Sequence, residues 1–324
     1  MKLSVAAVQM ESKNRDYEGN RKRAEGYILE AVENGAKLIS IPEFALAGYI
    51  YDDSIWNEAE PLKGRTYQWL NKLCNKHKVY IATCILEKDK EDFFDTFILC
   101  GPDDRLWSHK KIEAASYEAF YLKGAGANLN TFNTPIGKIG IVICFDASKT
   151  YSIKSLIQNR PEIVLLQFSY PSLPSFLPKR DRNNWVETYK NTPTMFAKCL
   201  KVPVVSCNKT GKFSTSLPLS FGLKCKSDFV DYSSIVNSNG NIVSVISKKP
   251  GVICTEVELG GEDYVTENTI SDGRWYLPYS LCTRFTTEYT QRSGKIRYKF
   301  SRKRKKAALM DLSSSLVEPQ EGNG

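Results

Sequence analysis

Strand-length apolar runs alternate with helix-period segments along this chain, and the alternation occurs twice, each time followed by strands with no helix between them. In the first half, residues 3–9 read as a buried strand. Residues 17–34 read as a helix, with Ala24, Tyr27, Ile28, Ala31 and Val32 at helical spacing and Gly35 as its stop. Residues 37–41 form a strand ended by Pro42, and 66–77 a helix; 79–86, 93–100 and 105–109 are strands, the last two joined by Gly101-Pro102-Asp103-Asp104. The second half repeats the order: strand 138–145, helix 151–158, strand 163–168, and helix 184–200 with Pro193 as a flaw. Strands 202–207, 234–236, 242–246 and 252–257 follow, with Asn237-Ser238-Asn239-Gly240 as a hairpin signal. This order predicts an α/β fold of two similar halves around one sandwich. Beyond about Thr286 the pattern fades into charge, so the core is expected to end there.

At 324 residues, with 42% hydrophobic and 25% charged, the chain has ample core-forming material, which excludes collagenous and wholly disordered classes. No apolar run approaches the ~20 residues a membrane span needs. The apolar opening meets Gln9, Glu11 and Lys13 too early for a signal peptide, so a cytoplasmic chain starting at Met1 is expected. The formal charge of +9 belongs to one segment. Residues 292–306 hold nine Lys and Arg and no acid, and without them 36 basic residues face 36 acidic ones. The pI is therefore no evidence that the main domain binds nucleic acid. The basic segment could contact phosphates, a membrane surface or an RNA; the plainer expectation is a solvated, partly disordered extension over 286–324 whose removal beyond Thr290 leaves catalysis undisturbed.

Nine cysteines without a Cys-x-x-Cys, several inside apolar runs, suit a reducing compartment. Only His77 and His109 are present, so a site with several imidazole ligands cannot be built. Three other groups stand just past apolar strands, where open α/β sheets place their sites: Glu43 after 38–42, Lys111 after 106–110, and Cys144 at the end of 139–143. A thiol, a carboxylate and an ammonium suffice for acyl transfer. The thiol attacks, the carboxylate takes its proton and the ammonium stabilises the oxyanion. Each residue alone has a plainer reading, as core cysteine, loop glutamate or surface lysine.

The runs Ile41-Pro42-Glu43-Phe44-Ala45-Leu46-Ala47-Gly48-Tyr49, His109-Lys110-Lys111-Ile112 and Gly140-Ile141-Val142-Ile143-Cys144-Phe145-Asp146 together resemble the three signatures of the nitrilase (carbon–nitrogen hydrolase) superfamily. The opening 5–10 and the run 134–140 look similar to it too, and the resemblance spans about residues 3–258. It implies a single-domain, four-layer αββα sandwich over 1–285, usually dimeric, with no metal or organic cofactor. It also implies a Glu43–Lys111–Cys144 triad. The family often adds a second glutamate after the lysine; Glu118 matches it best, with Glu113 the competing choice. Phe145, Ser169 and Tyr170 are expected to contact substrate, and 169–184 either shapes the pocket mouth or forms a surface loop. The chain departs from the family at Ala147-Ser148-Lys149-Thr150 and at 196–200, which bears on pocket and subunit packing.

Cys144-Phe145-Asp146, where true nitrilases usually carry Cys-Trp-Glu, leans toward an amidase or carbamoylase acting on a small amide or N-carbamoyl compound through a thioester. The other readings are a nitrilase, a thioester-based acyltransferase, and a non-enzymatic scaffold with an RNA- or partner-binding tail. A homodimer or higher homo-oligomer is expected, without membrane association.

Overall fold

A computed structural model describes residues 1–126, 130–173, 175, 177–216, 224–260, 270 and 273–310. In the first half, β1 (Lys2–Gln9), α1 (Tyr17–Glu33), β2 (Leu38–Glu43), α2 (Arg65–His77) and β3 (Tyr80–Asp89) form two βαβ crossovers with parallel strands. Then β4 (Asp92–Gly101) and β5 (Arg105–Lys110) add antiparallel. In the second half, β6 (Thr131–Thr134) pairs antiparallel with β7 (Gly137–Ile143). Next, α3 (Thr150–Asn159), β8 (Ile163–Gln167), α4 (Lys179–Leu200) and β9 (Val204–Cys207) repeat the parallel crossovers. A hairpin of β10 (Lys212–Ser216) and β11 (Lys224–Asp228) precedes β12 (Tyr232–Val236), β13 (Ile242–Ser247) and β14 (Gly251–Glu258).

The two six-stranded sheets have one topology. Their orders are β14-β1-β2-β3-β4-β5 and β6-β7-β8-β9-β12-β13. Each has an antiparallel edge, three parallel strands and two antiparallel ones. Alternation along each strand assigns the layers. Leu3, Val5 and Ala7 of β1 point inward onto Ile141, Leu165 and Val205 of the other sheet, while Ala6 and Val8 point outward onto α1 and α2. In the second sheet Val142, Val164, Leu166 and Val204 face outward onto α3 and α4. The result is the four-layer αββα sandwich the resemblance implied. No helix among the described residues is long and apolar enough to cross a membrane.

Two expectations are corrected. The stretch 169–184 is not all loop, because α4 begins at Lys179 and continues through Pro193. The residues past 286 are not simply solvated: α5 (Leu281–Phe300) and α6 (Arg302–Leu309) continue the chain, with Gln291, Gly294, Tyr298 and Arg304 buried. The Gln291 amide donates to Ala114 O at 2.7 Å, and Arg304 donates to Glu91 O at 2.5 Å. At Gly294 any Cβ would stand 2.7–2.9 Å from atoms of Ala119 and Phe120, so the helix lies directly on the turn that carries Glu118. Residues 311–324 lie outside the described part of the chain.

Candidate active site

Glu43 is the last residue of the wholly buried β2, and Phe44 after it adopts φ +49°. Cys144 follows β7, adopts φ +42° and opens a single 3-10 turn, Cys144–Ser148. Left-handed backbone at a non-glycine residue costs about 1–3 kcal/mol and persists only where the surroundings impose it. Here it turns the chain sharply at the ends of two strands, one in each sheet. Lys111 stands just after β5, its N–H held by Asp95 O at 2.8 Å.

These elements converge on one ammonium. Lys111 Nζ lies 2.7 Å from Glu43 Oε1, 2.8 Å from Glu118 Oε2 and 2.9 Å from Asp95 Oδ2, and all four side chains are at most 3% exposed. Asp95 Oδ2 stands close to the ammonium without an aligned hydrogen bond to it. Glu43, Asp95 and Glu118 are close enough together to hold a metal ion, but Lys111 already supplies the cation between them. Glu118 also accepts from Ala115 N at 3.0 Å and from the Tyr51 hydroxyl at 3.2 Å.

Burial opposes the charge on every member, and the partners divide the outcome. For Glu43, burial is outweighed chiefly by the Lys111 ammonium, so its carboxyl is held below the ordinary range. Burial and the neighbouring Glu43 and Glu118 push Asp95 well up despite Lys111. Burial and Glu43 also push Glu118 up. Lys111 loses to burial less than it gains from the three carboxyls, and stays charged. The set holds an ionised Glu43, an Asp95 carboxyl pushed toward its neutral form, and a fixed ammonium.

The Cys144 residue keeps an opening to solvent, but the protein around its sulfur pushes the thiol well above its usual range, with Glu43 adding to the effect. It rests as a neutral thiol beside an ionised carboxylate. The Ser169 backbone N–H near it opposes that rise. The Ser169 hydroxyl donates to Glu43 O at 2.5 Å, so this residue ties the nucleophile's strand end to the base's. Asp146 makes the third tie, accepting from Ile112 N at 2.8 Å, Glu113 N at 3.0 Å and the Tyr151 hydroxyl at 2.7 Å. Aromatic rings wall the approach. Tyr170 stacks between Trp185 and Tyr189 and meets the Tyr279 hydroxyl at 2.8 Å, while Phe145 stands edge-on to Trp275.

The structure thus brings Glu43, Lys111 and Glu118 into contact, with Cys144 close enough to feel all three charges. Glu113 points elsewhere, to Arg274 at 2.9 Å and Gln291 at 3.0 Å. Sequence reasoning passed over Asp95, and read Asp146 only as part of the Cys144-Phe145-Asp146 signature, not as a tie to Ile112 and Glu113. The signal for Asp95 was an acid in the middle of the apolar strand Phe93-Phe94-Asp95-Thr96-Phe97, where a charge needs a partner.

Two further lysines are buried beside this centre, and neither Nζ has a hydrogen-bond partner among the described residues. Lys149 lies over the rings of Trp275 at 3.3 Å and Phe145 at 4.6 Å, and burial lowers its pKa to about 8. Lys209 is lowered to about 7, again by burial, with Glu43 opposing. Because its folded pKa lies below the unfolded one, the unfolded chain binds the extra proton between about pH 7 and 10.5, and stability rises with pH across that window. In urea unfolding at pH 7 and pH 9, the wild type should gain about 2 kcal/mol more than Lys209→Met, the pH dependence of the other groups, Lys149 included, being common to both. An equal gain in the variant would place the titration elsewhere.

The sequence pattern of the carbon-nitrogen hydrolase family matches residues 4–263. A nitrilase of Pyrococcus abyssi is 26% identical over 191 residues, 57% of this chain and 73% of that protein. An omega-amidase of Mus musculus is 28% identical over 158 residues, 45% of this chain and 55% of that one. The solved structure of a carbon-nitrogen hydrolase from Helicobacter pylori G27 superposes with a TM-score of 0.71 at 16% identity, covering 80% of this chain and 90% of the other.

Proposed function

The chain belongs to the carbon-nitrogen hydrolase family, and on that premise we propose that it hydrolyses a non-peptide C–N bond of a small amide or N-carbamoyl compound through a thioester on Cys144. One observation carries the reading: a neutral thiol on a strained turn stands beside an ionised carboxylate that is itself fixed by a buried ammonium. Glu43 takes the thiol proton as sulfur bonds to the carbonyl carbon. The oxyanion is held by Lys111 and the Phe145 N–H. As the oxyanion collapses, the C–N bond breaks and ammonia or an amine leaves with the proton from Glu43. Water then gives a proton to Glu43, its oxygen attacks the thioester, the C–S bond breaks, and Glu43 returns the proton to sulfur. Glu118 holds Lys111 in place throughout, and Asp95, pushed toward its neutral form, limits the charge stored in the cluster.

The substrate end is read from the walls. The rings of Phe145, Tyr170 and Tyr279 close to the thiol suit a compact acyl group, with the Ser169 hydroxyl on Glu43 O at the base of the site. Asp146 favours an amide or N-carbamoyl substrate over a nitrile, by the same likeness that reads Cys144-Phe145-Asp146 as amidase-type. Ammonia release from short aliphatic amides, N-carbamoyl amino compounds and matched nitriles tests this. The expected order places the first two at least about tenfold above the nitriles in kcat/KM, a difference of about 1.4 kcal/mol in barrier. Nitriles as the faster substrates would overturn the subclass, and turnover that requires an added amine acceptor would make the protein an acyltransferase.

A further inference from the structure

The proposed reaction leaves Lys149 unused. This residue caps the turn Cys144–Ser148, donates its N–H to Asp146 O at 3.1 Å, and lies in the stretch 147–150 where the chain departs from its family. Its side chain is fully buried. The Nζ stands 3.3 Å from the centre of the Trp275 ring and 4.6 Å from that of Phe145, with no hydrogen-bond acceptor among the described residues. The acids around it are engaged with other donors. Asp146 accepts from Ile112 N, Glu113 N and the Tyr151 hydroxyl, and Glu113 binds Arg274 and Gln291. Glu288 takes the Trp275 indole N–H at 3.0 Å and faces Arg274 at 3.3 Å. Among the cations, Arg274 repels the ammonium and Arg284 lies 5.9 Å from the Trp275 ring. The charge is left to two aromatic faces, which attract a cation most strongly where water is excluded.

The two rings belong to different parts of the site. Phe145 sits on the reacting turn, whereas Trp275 opens the segment that walls the approach to the thiol. That segment is laid along the turn. Tyr276 N donates to Ser148 O at 2.7 Å, Thr150 N donates to Arg274 O at 3.2 Å, and Lys149 pairs with Trp275 in an antiparallel bridge. Trp275 in turn stands edge-on to Tyr279, whose hydroxyl meets that of Tyr170 and is close enough to Cys144 to feel its charge. Lys149 thus occupies the joint between the turn and the wall. Its pull on the Trp275 face depends on the positive charge. Burial lowers its pKa to about 8, with Arg274 assisting and Glu113, Glu288 and Asp146 opposing, so the charge is lost within a range where turnover can be measured.

On the reading of Cys144 as the reacting residue, we propose that Lys149 is a positioning residue for substrate binding, its ammonium clasped between the Phe145 and Trp275 rings so that the wall of Trp275 and Tyr279 is held in place over the thiol. In the charged form the clasp is closed and the wall fits the acyl group. In the neutral form Trp275 loses its hold and the fit loosens. Substrate affinity therefore falls as pH rises through about 8, while the chemistry at Cys144, Glu43 and Lys111 stays in place.

Lys149→Met keeps most of the side chain's bulk and removes the charge. It should fold as stably as the wild type at pH 7, because the charge it deletes has no carboxylate partner; circular dichroism and urea unfolding check this. At pH 7 its KM for a short aliphatic amide should be raised at least about tenfold, with kcat within about threefold of wild type. Between pH 7 and pH 9.5 the wild-type KM should rise about tenfold more than that of the variant, the other titrations being common to both. Fluorescence reads the clasp without turnover. The emission of Trp275, isolated as the difference between wild type and Trp275→Phe, should titrate with a midpoint near pH 8. The difference between Lys149→Met and Lys149→Met/Trp275→Phe should show no such step. Wild-type emission without a step near pH 8 overturns the clasp whether or not Lys149→Met folds, and so does a step that survives in Lys149→Met. A wild-type KM in Lys149→Met at both pH values, or a lowered kcat with KM unchanged, overturns the role in substrate binding. No amide turnover in any variant, with the emission step as described, would overturn the reaction while upholding the clasp.

Discussion

Replacing Cys144 by alanine is expected to lower kcat at least about 10⁴-fold while moving folding stability by less than about 1 kcal/mol. The rate falls because no other nucleophile occupies the end of β7, and the barrier loses the several kcal/mol that covalent catalysis supplies. Stability is spared because alanine at φ +42° is strained to the same degree as cysteine, and the thiol's neighbours lose one weak acceptor. Cys254→Ala and Cys282→Ala, at positions away from the carboxylate cluster, serve as controls and should keep near wild-type turnover. More than about a hundredth of the wild-type rate in Cys144→Ala would make another residue the nucleophile.

The largest stability effect is expected at Lys111→Met. Its removal leaves Glu43, Glu118 and Asp95 buried together without their cation, and breaking a buried ion cluster from one side costs about 3–5 kcal/mol. The sign of the pH dependence identifies the cause. Without Lys111 the buried carboxyls have folded pKa values above their unfolded ones, so they stabilise the fold while protonated and destabilise it as pH rises. The variant should therefore resist urea better at pH 5 than at pH 7.5, with turnover reduced at least about 10³-fold at both. A variant as stable as wild type at pH 7.5 would mean that Lys111 is not holding the cluster.

The parts of this fold set by short-range pattern were legible in the chain. The βαβ crossovers, the turn at Gly101-Pro102 and the hairpin at Asn237-Gly240 announce themselves through period and turn chemistry. Glu43, Lys111 and Cys144 were legible because each stands at or just past a strand end, in order, within runs that together resemble one family's signatures. Asp95 was not, because its role depends on β4 lying beside β5, whose end carries Lys111, and a strand's neighbours are set by the whole sheet. The bonds that Asp146 makes were hidden in the same way, since they run to Ile112 and Glu113, more than thirty residues away. The helix at 281–300 was the hardest to read. Its buried face is made of Gln291, Gly294 and Tyr298 and its exposed face of leucine, isoleucine and aromatic residues, so the rule that apolar faces turn inward points the wrong way. The β10–β11 hairpin, rich in serine, threonine and lysine, gave no apolar period to detect.

The thioester itself can be weighed. Mixing the protein with a good amide substrate, quenching in acid within one turnover and measuring the intact and peptide masses should reveal the acyl group, less ammonia, on the peptide containing Cys144. A burst of ammonia matching the enzyme in amount should accompany it. Turnover that leaves every cysteine unmodified at all quench times and shows no burst, or an acyl group carried on a different residue, would contradict catalysis through Cys144.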